Sequence, residues 1–277
     1  MTATPMTAWW YRYVTTRRAR SVRRSRPTLP MTACTNRSNW ISFWAWELLS
    51  RLCSNKTKDL KLTDNRWLTG RGFGVHSPWA YDLIENVINE KRPYYAYEDL
   101  YPFWEKAPQY LPQYPQSRDE LLFRLVNRFN PQYILEIGTG AGVSTGYLAS
   151  VSSKSRVVTV DVPHPAEKEV RRNLKRIKNI EYIAADVLET VTKIMESGDT
   201  PQFIHVAHTA YWRQVMDVII RNAKPDTVVV LEDMGKKEKK EWWKQAILDE
   251  RVGVTFQLKK LGLLFFNRKM NKQHYVL

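Results

Sequence analysis

The sequence predicts an α/β protein with a doubly wound, mostly parallel seven-stranded sheet, and three observations lead to this fold class. Short apolar runs alternate with amphipathic helical patterns between residues 133 and 248. The run Thr227–Leu231 is apolar throughout, as is typical of a central parallel strand covered on both faces. The last two runs, Val252–Leu258 and Leu261–Asn267, are separated only by two lysines. That gap is too short for a crossover helix, so these runs are predicted to pair as a terminal antiparallel hairpin.

The individual elements are predicted from the same patterns. Besides the three runs above, strands are predicted at Tyr133–Ile137, Arg156–Asp161, Ile180–Ala184 and Gln202–Val206. Helices are predicted at Arg118–Phe129, from Val143 onward, at Pro165–Lys178, Val187–Met195, Tyr211–Asn222 and Lys237–Leu248. Residues 118–277 are therefore predicted to form the main domain.

Charge separates the first part of the chain from the rest. Residues 1–58 hold 11 Lys and Arg residues against one acid, Glu47, and so contribute +10 of the net charge of +15. An aromatic patch within them, Trp40–Leu49, is too short to span a bilayer. We expect an N-terminal extension that is poorly ordered. A surface helix on a membrane, packing against the domain and a nucleic-acid-binding arm stay open as alternatives.

Residues 59–117 are predicted to form a helical and Tyr/Pro-rich cap. A helix should begin at Pro78, where proline is tolerated, with Ser77 as its N-cap. The segment Arg92–Gln116 is rich in tyrosine and proline, and its proline spacing excludes long helices. Its aromatic side chains favour a packed cap over disorder.

A glycine turn comes directly after the first predicted strand. Glu136 precedes it, and Gly138, Gly140 and Gly142 stand at alternate positions. Glycines let a backbone turn tightly and approach a ligand closely, because no Cβ is in the way. A dinucleotide-binding turn has the spacing G-x-G-x-x-G, which this chain lacks, and an acid at the strand end would repel a pyrophosphate.

The pattern E-x-G-x-G-x-G resembles motif I of the class I S-adenosylmethionine (SAM) methyltransferases, whose sheet is Rossmann-like. The resemblance covers about residues 118–277 and implies SAM as the cofactor. Glu136 and the turn residues Gly138, Thr139, Gly140 and Gly142 are the expected contacts. Asp161 ends the second strand, where a carboxylate can bind ribose hydroxyls.

Asp186 comes just after the third strand. In the resembled family an acid there faces the adenine amino group, and the alternative is that Asp186 is the N-cap of the next helix. Both roles are compatible with each other.

The reaction class is predicted from the residues at the carboxyl ends of strands four and five. The chain is similar to the O-methyltransferases related to catechol O-methyltransferase, which implies a methyl group transferred to oxygen of a small-molecule acceptor. That group holds a divalent cation with an Asp after strand four, but this chain has Ala207 or His208 there. Asp233 follows strand five, but the Asp ligand after strand four is missing. No metal is therefore predicted.

Three histidines are candidate site residues. His208 stands at the carboxyl end of strand four and is the predicted general base, with Asp233 beside it as the second catalytic residue. His205 and His76 are weaker candidates for substrate contact. For all three, packing or loop hydrogen bonding is the alternative.

Other function classes are weighed against this one. An RNA or other nucleic-acid methyltransferase would use the basic extension and the basic helix Arg171–Lys178, but the chain lacks the N/D-P-P-Y-like loop of the nucleobase amine enzymes. A SAM-binding protein without catalysis is the third class. The two cysteines, Cys34 and Cys53, lie outside the main domain, which excludes a cysteine nucleophile in its core. A cytoplasmic enzyme without a transmembrane segment is expected, and a homodimer stays open.

Overall fold

The computed structural model describes residues 70, 72, 74–105 and 115–277 of the 277-residue chain. The predicted extension at residues 1–58, with its aromatic patch, lies outside these residues. The part described is an α/β fold around one eight-stranded sheet. The prediction of a doubly wound, mostly parallel sheet that finishes in an antiparallel hairpin is confirmed.

The strands match the apolar runs of the sequence closely. They are β1 (Tyr133–Ile137), β2 (Arg156–Asp161), β3 (Ile180–Ala184), β4 (Phe203–Val206), β5 (Val228–Glu232), β6 (Val254–Gln257), β7 (Leu261–Phe265) and β8 (Gln273–Val276). Their order across the sheet is β3-β2-β1-β4-β5-β7-β6-β8. Strands β1 to β5 are parallel, whereas β7 runs antiparallel to both β5 and β6.

The helices cover both faces of this sheet. They are α1 (Pro78–Leu83), α2 (Tyr95–Glu105), α3 (Gln116–Phe129), α4 (Val143–Ala149), α5 (Glu167–Leu174), α6 (Val187–Glu196), α7 (Trp212–Asn222) and α8 (Lys237–Ala246). One face packs against α6, α7 and α8, and the other against α1, α3 and α4. The sheet is therefore buried on both sides, which explains why its central strands are apolar throughout.

Alternation along the strands decides which side chains face which helices. In β1, Leu135 and Ile137 face α6 and α7, while Ile134 faces α3. Glu136 has the same parity as Ile134 and so points toward the α3 and α4 side. In β4, His205 shares this side with Phe203.

Two features differ from the sequence prediction. The sheet has an eighth strand, β8, which pairs in parallel with β6 at the edge of the sheet. Its residues alternate between partly buried and exposed, so they give no strong apolar signal. The second feature is the 11-residue helix α2, which contains Pro102 in its interior. The expectation that proline spacing excludes such a helix was wrong, because packing of Tyr97 and Leu100 offsets the lost hydrogen bond.

The helix predicted from Pro78 is present, and Ser77 caps it by accepting a hydrogen bond from the Ala80 N–H. After Leu83 it continues as a single π-helical turn, Ile84–Ile88, with the Asn89 N–H bonded to Ile84 O. Helix α3 begins at Gln116, two residues before the predicted start. Among the described residues no helix is both long and apolar enough to cross a membrane.

Candidate functional site

The candidate site lies at the carboxyl ends of the central strands. Strand β1 has β2 on one side and β4 on the other, so the chain order reverses at β1. In open α/β sheets, ligands bind in the crevice that such a reversal creates. The glycine turn, Asp161, His208 and Asp233 all lie at or just beyond strand ends on this edge.

The glycine turn is held in a conformation that only glycine adopts easily. Gly138, Gly140 and Gly142 have φ angles of 93°, 53° and 78°, in the left-handed region. A Cβ on Gly138 would lie 2.8 Å from the carbonyl oxygen of His208, so this glycine permits a close approach of two backbones. A Cβ on Gly140 would meet no atom within 4 Å, which leaves open space on the side where a ligand would bind.

Asp161 is joined to this turn from the neighbouring strand. Its Oδ2 accepts a hydrogen bond of 2.8 Å from the Gly140 N–H, and its Oδ1 accepts one from the Val162 N–H. Burial raises the pKa of this carboxyl group, although both hydrogen bonds act against the rise. Thr139 is fixed to the same strand, because its hydroxyl lies 2.7 Å from that of Thr159.

His164 and Asp186 lie at the ends of β2 and β3. The buried Nδ1 of His164 has no hydrogen-bond partner within the described part of the protein, although a buried polar atom ordinarily has one. Asp186 is exposed and is the N-cap of α6, since its carboxylate accepts a hydrogen bond of 2.8 Å from the Glu189 N–H. The open glycine turn, the Asp161 carboxylate and the unpartnered His164 nitrogen fit the adenosine and amino-acid portions of SAM.

Glu136 is fully buried and its carboxylate is surrounded by protein donors. Its Oε1 accepts from Ser144 at 2.6 Å, and its Oε2 accepts from Thr145 and from Thr159. Ser144 and Thr145 belong to the first turn of α4, so Glu136 ties this helix to β1 and β2. In this structure the carboxylate contacts the protein rather than the open side of the turn.

His205 continues the buried polar row from β1 to β5. Its Nδ1 lies 3.1 Å from Glu136 Oε1, and its Nε2 lies 2.8 Å from Glu232 Oε1. Burial would lower the pKa of His205, but the hydrogen bonds to both carboxylates raise it to about 9. The side chain is 0% exposed, so it cannot touch an acceptor as its position in the sequence suggested.

Helix α3 completes this row with two further charges. Arg118 places Nη1 2.8 Å from Glu232 and Nη2 2.5 Å from Asp119. Burial opposes ionisation of Glu232, yet His205 and Arg118 lower its pKa below the ordinary value. Burial raises the pKa of Asp119 to about 6, although Arg118 acts against this rise.

The two predicted catalytic residues lie beside each other. His208 Nδ1 is 3.7 Å from Asp233 Oδ2, which is within ion-pair range but too long for a hydrogen bond. Lys236 Nζ lies 2.7 Å from the same oxygen. His208 and Lys236 together hold the pKa of Asp233 below its usual range. The imidazole is half-exposed, and Asp233 has a φ of 60°, a left-handed conformation that is strained for a residue with a Cβ.

A buried lysine supports the turn that carries Asp233. Lys239 on α8 is 2% exposed and donates a hydrogen bond of 2.7 Å to the carbonyl oxygen of Glu232. The ring of Trp212 lies 5.2 Å from the same ammonium group. Burial lowers the pKa of Lys239 to about 8, and the negative charge of Asp233 works against this decrease.

His76 is separated from these residues. It is exposed in the loop before α1, and the nearby Trp79 of α1 packs on Phe256 of β6 and Phe265 of β7. Within the described residues, no contact joins His76 to the glycine turn.

Several members of the site were not predicted from the sequence. They are Arg118, Asp119, Glu232, His164 and Lys239. The position of Glu232 in the sequence could have indicated its burial. It lies two residues after Val230 in β5 and so points to the same side of the sheet, where Val230 packs in the core. The contacts of Arg118 and Lys239 join separate elements and have no local pattern in the sequence.

Similarity to known proteins agrees with this geometry. Residues 135–231 match the family model described as a methyltransferase domain. This range begins within β1 and ends within β5, so it contains the glycine turn, Asp161, His205 and His208. No curated protein sequence matches the chain.

Solved structures share the fold at low sequence identity. A methyltransferase of Podospora anserina with S-adenosylhomocysteine (SAH) bound has a TM-score of 0.53 at 13% identity. The alignment covers 69% of this chain and 96% of that one. The O-methyltransferase TomG of Streptomyces achromogenes, in complex with SAM and involved in tomaymycin synthesis, has a TM-score of 0.51 at 15% identity, covering 66% and 94%. A methyltransferase of Geobacter sulfurreducens also has a TM-score of 0.51 at 15% identity, covering 66% and 96%.

Proposed function

We propose that this chain, which contains a class I SAM-dependent methyltransferase domain, transfers a methyl group to an oxygen atom of a small-molecule acceptor. The observation that carries the proposal is the contact between the glycine turn and the end of β4. A Cβ on Gly138 would lie 2.8 Å from His208 O, so the cofactor turn and the candidate base meet at one edge.

The cofactor would be held by the turn and by the ends of β2 and β3. Gly138, Thr139, Gly140 and Gly142 would line its amino-acid end, and Asp161 would accept hydrogen bonds from ribose hydroxyls. Asp186 and His164 would face the adenine side. When bound, SAM would supply the methyl group from its sulfonium centre, whose S–CH3 bond breaks as the new bond to oxygen forms and which is left as the thioether of SAH.

Glu136 was predicted to contact the cofactor directly. Its four protein partners favour an indirect role instead, in which the carboxylate fixes α4 and the glycine turn. A ligand would reach it only by displacing a buried hydrogen bond.

The acceptor hydroxyl must lose its proton when its oxygen forms the new bond. His208 would remove this proton, because histidine is the side chain that most often acts as a general base and this imidazole is half-exposed at the edge of the candidate site. Asp233 would orient either the imidazole or the acceptor hydroxyl, and Lys236 holds the Asp233 carboxylate in place. Alignment of acceptor and methyl group accounts for much of the rate enhancement in such reactions.

Two arguments favour an oxygen acceptor and a metal-independent reaction. The Streptomyces achromogenes protein of the same fold is an O-methyltransferase. The positions just after β4 hold Ala207 and His208 rather than a carboxylate, and Lys236 Nζ lies 2.7 Å from the Asp233 Oδ2 that a cation would need. Turnover should therefore survive a chelator.

A transfer assay tests the proposal. The full-length protein is incubated with methyl-labelled SAM and an acceptor. One set of acceptors consists of small phenols, including catechol, and the other is total RNA. Label in a small phenol is the expected result. His208→Ala should lower kcat by about 10²–10⁴, the range for loss of a general base, and leave SAH affinity nearly unchanged. His274→Ala, on the outer strand β8, is the matched control and should behave like the wild type.

Three outcomes would contradict the proposal. Transfer to RNA alone would identify a nucleic-acid methyltransferase, which the exposed basic residues Arg172, Lys175 and Arg176 would suit. SAH binding without transfer to any acceptor would identify a binding protein without catalysis. Activity that disappears with EDTA and returns with Mg²⁺ would make Asp233 a metal ligand.

We further propose a cytoplasmic location, and a homodimer as the state to test. Light scattering of the purified full-length chain measures its mass directly. A mass close to the 32.6 kDa of one chain would exclude the dimer.

A further inference from the structure

We propose that His205 is a positioning residue of this methyltransferase. As an imidazolium that bridges Glu136 and Glu232, it holds the glycine turn and the acceptor-side turn at Asp233 in one fixed arrangement. This inference rests on the proposed function, because it assigns the two turns to cofactor and acceptor.

With Glu136 and Glu232 both ionised, the geometry requires both ring nitrogens of His205 to carry protons. Each nitrogen faces a carboxylate oxygen, Nδ1 at 3.1 Å and Nε2 at 2.8 Å. A neutral imidazole has one N–H donor, and its other nitrogen is an acceptor. In the neutral form, one of the two carboxylates would therefore face a lone pair.

The first end of this bridge holds the cofactor turn. Glu136 accepts hydrogen bonds from Ser144 and Thr145 in the first turn of α4. It also accepts one from Thr159, whose hydroxyl lies 2.7 Å from that of Thr139 in the turn itself. A displacement of Glu136 would therefore reach the glycine turn through side-chain hydrogen bonds on two different elements.

The second end holds the acceptor-side turn. Glu232 immediately precedes Asp233, whose φ of 60° must be maintained by its surroundings. The side chain of Glu232 is fixed by His205 and Arg118, and its carbonyl oxygen is fixed by Lys239. The backbone of residue 232 is thus restrained from both sides, which fixes the position of Asp233.

A purely structural role explains this arrangement poorly. Buried ion pairs are often no more stable than apolar side chains of similar volume, because removing charges from water is costly. The neighbouring inward positions of β1 and β4, Ile134 and Phe203, are apolar. The charged groups are found only where these strands reach the candidate site, as expected if they position ligand-binding turns.

The charge balance around His205 is defined by three elements. Glu136 faces it from β1 and Glu232 from β5, while Asp119 and Arg118 face the row from α3. With His205 charged, three carboxyl groups are met by two cations. With His205 neutral, Arg118 still faces these carboxyl groups from α3, whereas Lys239 of α8 contacts the backbone oxygen of Glu232.

Nitrogen NMR of the full-length chain, labelled with ¹⁵N-histidine and saturated with SAH, tests the protonation directly. His205→Gln assigns the signal among the five histidines of the chain. We expect both ring nitrogens to be protonated at about pH 7.5, where a free imidazole is mostly neutral. A neutral tautomer at that pH would overturn the proposal.

Calorimetry of SAH binding tests the positioning role. Glutamine can donate hydrogen bonds from only one end of its amide, so His205→Gln leaves one carboxylate without a donor. We expect about a tenfold weaker SAH affinity, on the scale of one buried hydrogen bond to a charged group. The affinity of the wild type relative to that of the variant should also decrease as the pH passes about 9, because Lys239 is present in both proteins and cancels from the ratio.

Matched measurements separate positioning from loss of fold. Circular dichroism at each pH identifies the range in which the protein is folded, and only that range is compared. His274→Gln should keep the wild-type affinity and its pH profile. A ratio of wild-type to variant affinity that stays constant through about pH 9 in folded protein would refute the positioning role. If His205→Gln does not fold, variants of the other four histidines assign the His205 signal by elimination, and a neutral His205 at about pH 7.5 still overturns the proposal. Neither measurement needs an acceptor, so both remain informative if the transfer assay fails.

Discussion

Gly138 lies directly against the backbone of His208, and a Cβ at position 138 would come within 2.8 Å of the His208 carbonyl oxygen. There is therefore no room for a methyl group between the glycine turn and the backbone of the residue proposed as general base. A change at Gly138 must shift one of the two.

Gly138→Ala should therefore damage both folding and cofactor binding. The left-handed φ of 93° and the close contact together should cost about 2–4 kcal/mol of unfolding free energy, from backbone strain and overpacking. Gly198→Ala is a matched control, since Gly198 has a φ of 88° and no atom near its missing Cβ. Urea denaturation compares them, and equal losses in the two variants would show that the contact with His208 is unimportant.

Gly140→Ala should separate ligand binding from stability. A Cβ at this position meets no protein atom, so the stability loss should match the roughly 1 kcal/mol of Gly198→Ala. SAH affinity, however, should fall by at least about tenfold, because the methyl group enters the space proposed for the ligand. Calorimetry that gives undiminished affinity would move the cofactor away from this turn.

Asp161→Asn should weaken SAH binding by about 1–3 kcal/mol, the cost of leaving a ribose hydroxyl without its charged acceptor. The asparagine oxygen can still accept the Gly140 N–H, but its NH2 group cannot accept the Val162 N–H, so one of the two backbone hydrogen bonds is lost. Asp186→Asn provides a comparison at the next strand end. If Asp161→Asn binds SAH as tightly as the wild type does, the ribose contact lies elsewhere.

The free energy of unfolding should decrease at alkaline pH. The pKa of His205 is raised from 6.5 to about 9 in the folded state, so its contribution is complete below pH 6.5 and is lost as the pH rises through about 9. A rise of this size corresponds to about 3 kcal/mol. Lys239 acts in the opposite direction, because its pKa is lowered to about 8 by burial.

The difference between wild type and His205→Gln removes the contribution of Lys239, since both proteins contain that lysine. Denaturation curves at a series of pH values should show this difference shrinking between about pH 7 and pH 10. A difference that is constant over this interval would mean that His205 does not change its charge there.

The sequence predicted those features that have a local signal. The bounds of β1, β2 and β3 were predicted correctly, because each is a compact run bounded by turn residues. The start of α4 at Val143 was predictable from Gly142, whose left-handed φ ends the turn. Strand β8 was missed because its alternating exposure leaves little apolar pattern.

The site was predicted only in part, for a related reason. The pairing of Glu136 with His205 depends on the register between β1 and β4, which sets these residues side by side although they are 69 positions apart. The sequence reveals that both residues lie near strand ends, but it does not reveal which strands are neighbours. His205 was therefore interpreted as a substrate contact, whereas its neighbours enclose it completely.

The buried amine of Lys239 makes it possible to measure how often α8 separates from β5. Acylating reagents react with a lysine amine that they can reach. The 2% exposure of Lys239 keeps such reagents away. Acylation therefore requires molecules in which α8 has moved away from β5. Its rate relative to the exposed Lys244, read by mass spectrometry, measures how often the acceptor side of the sheet opens.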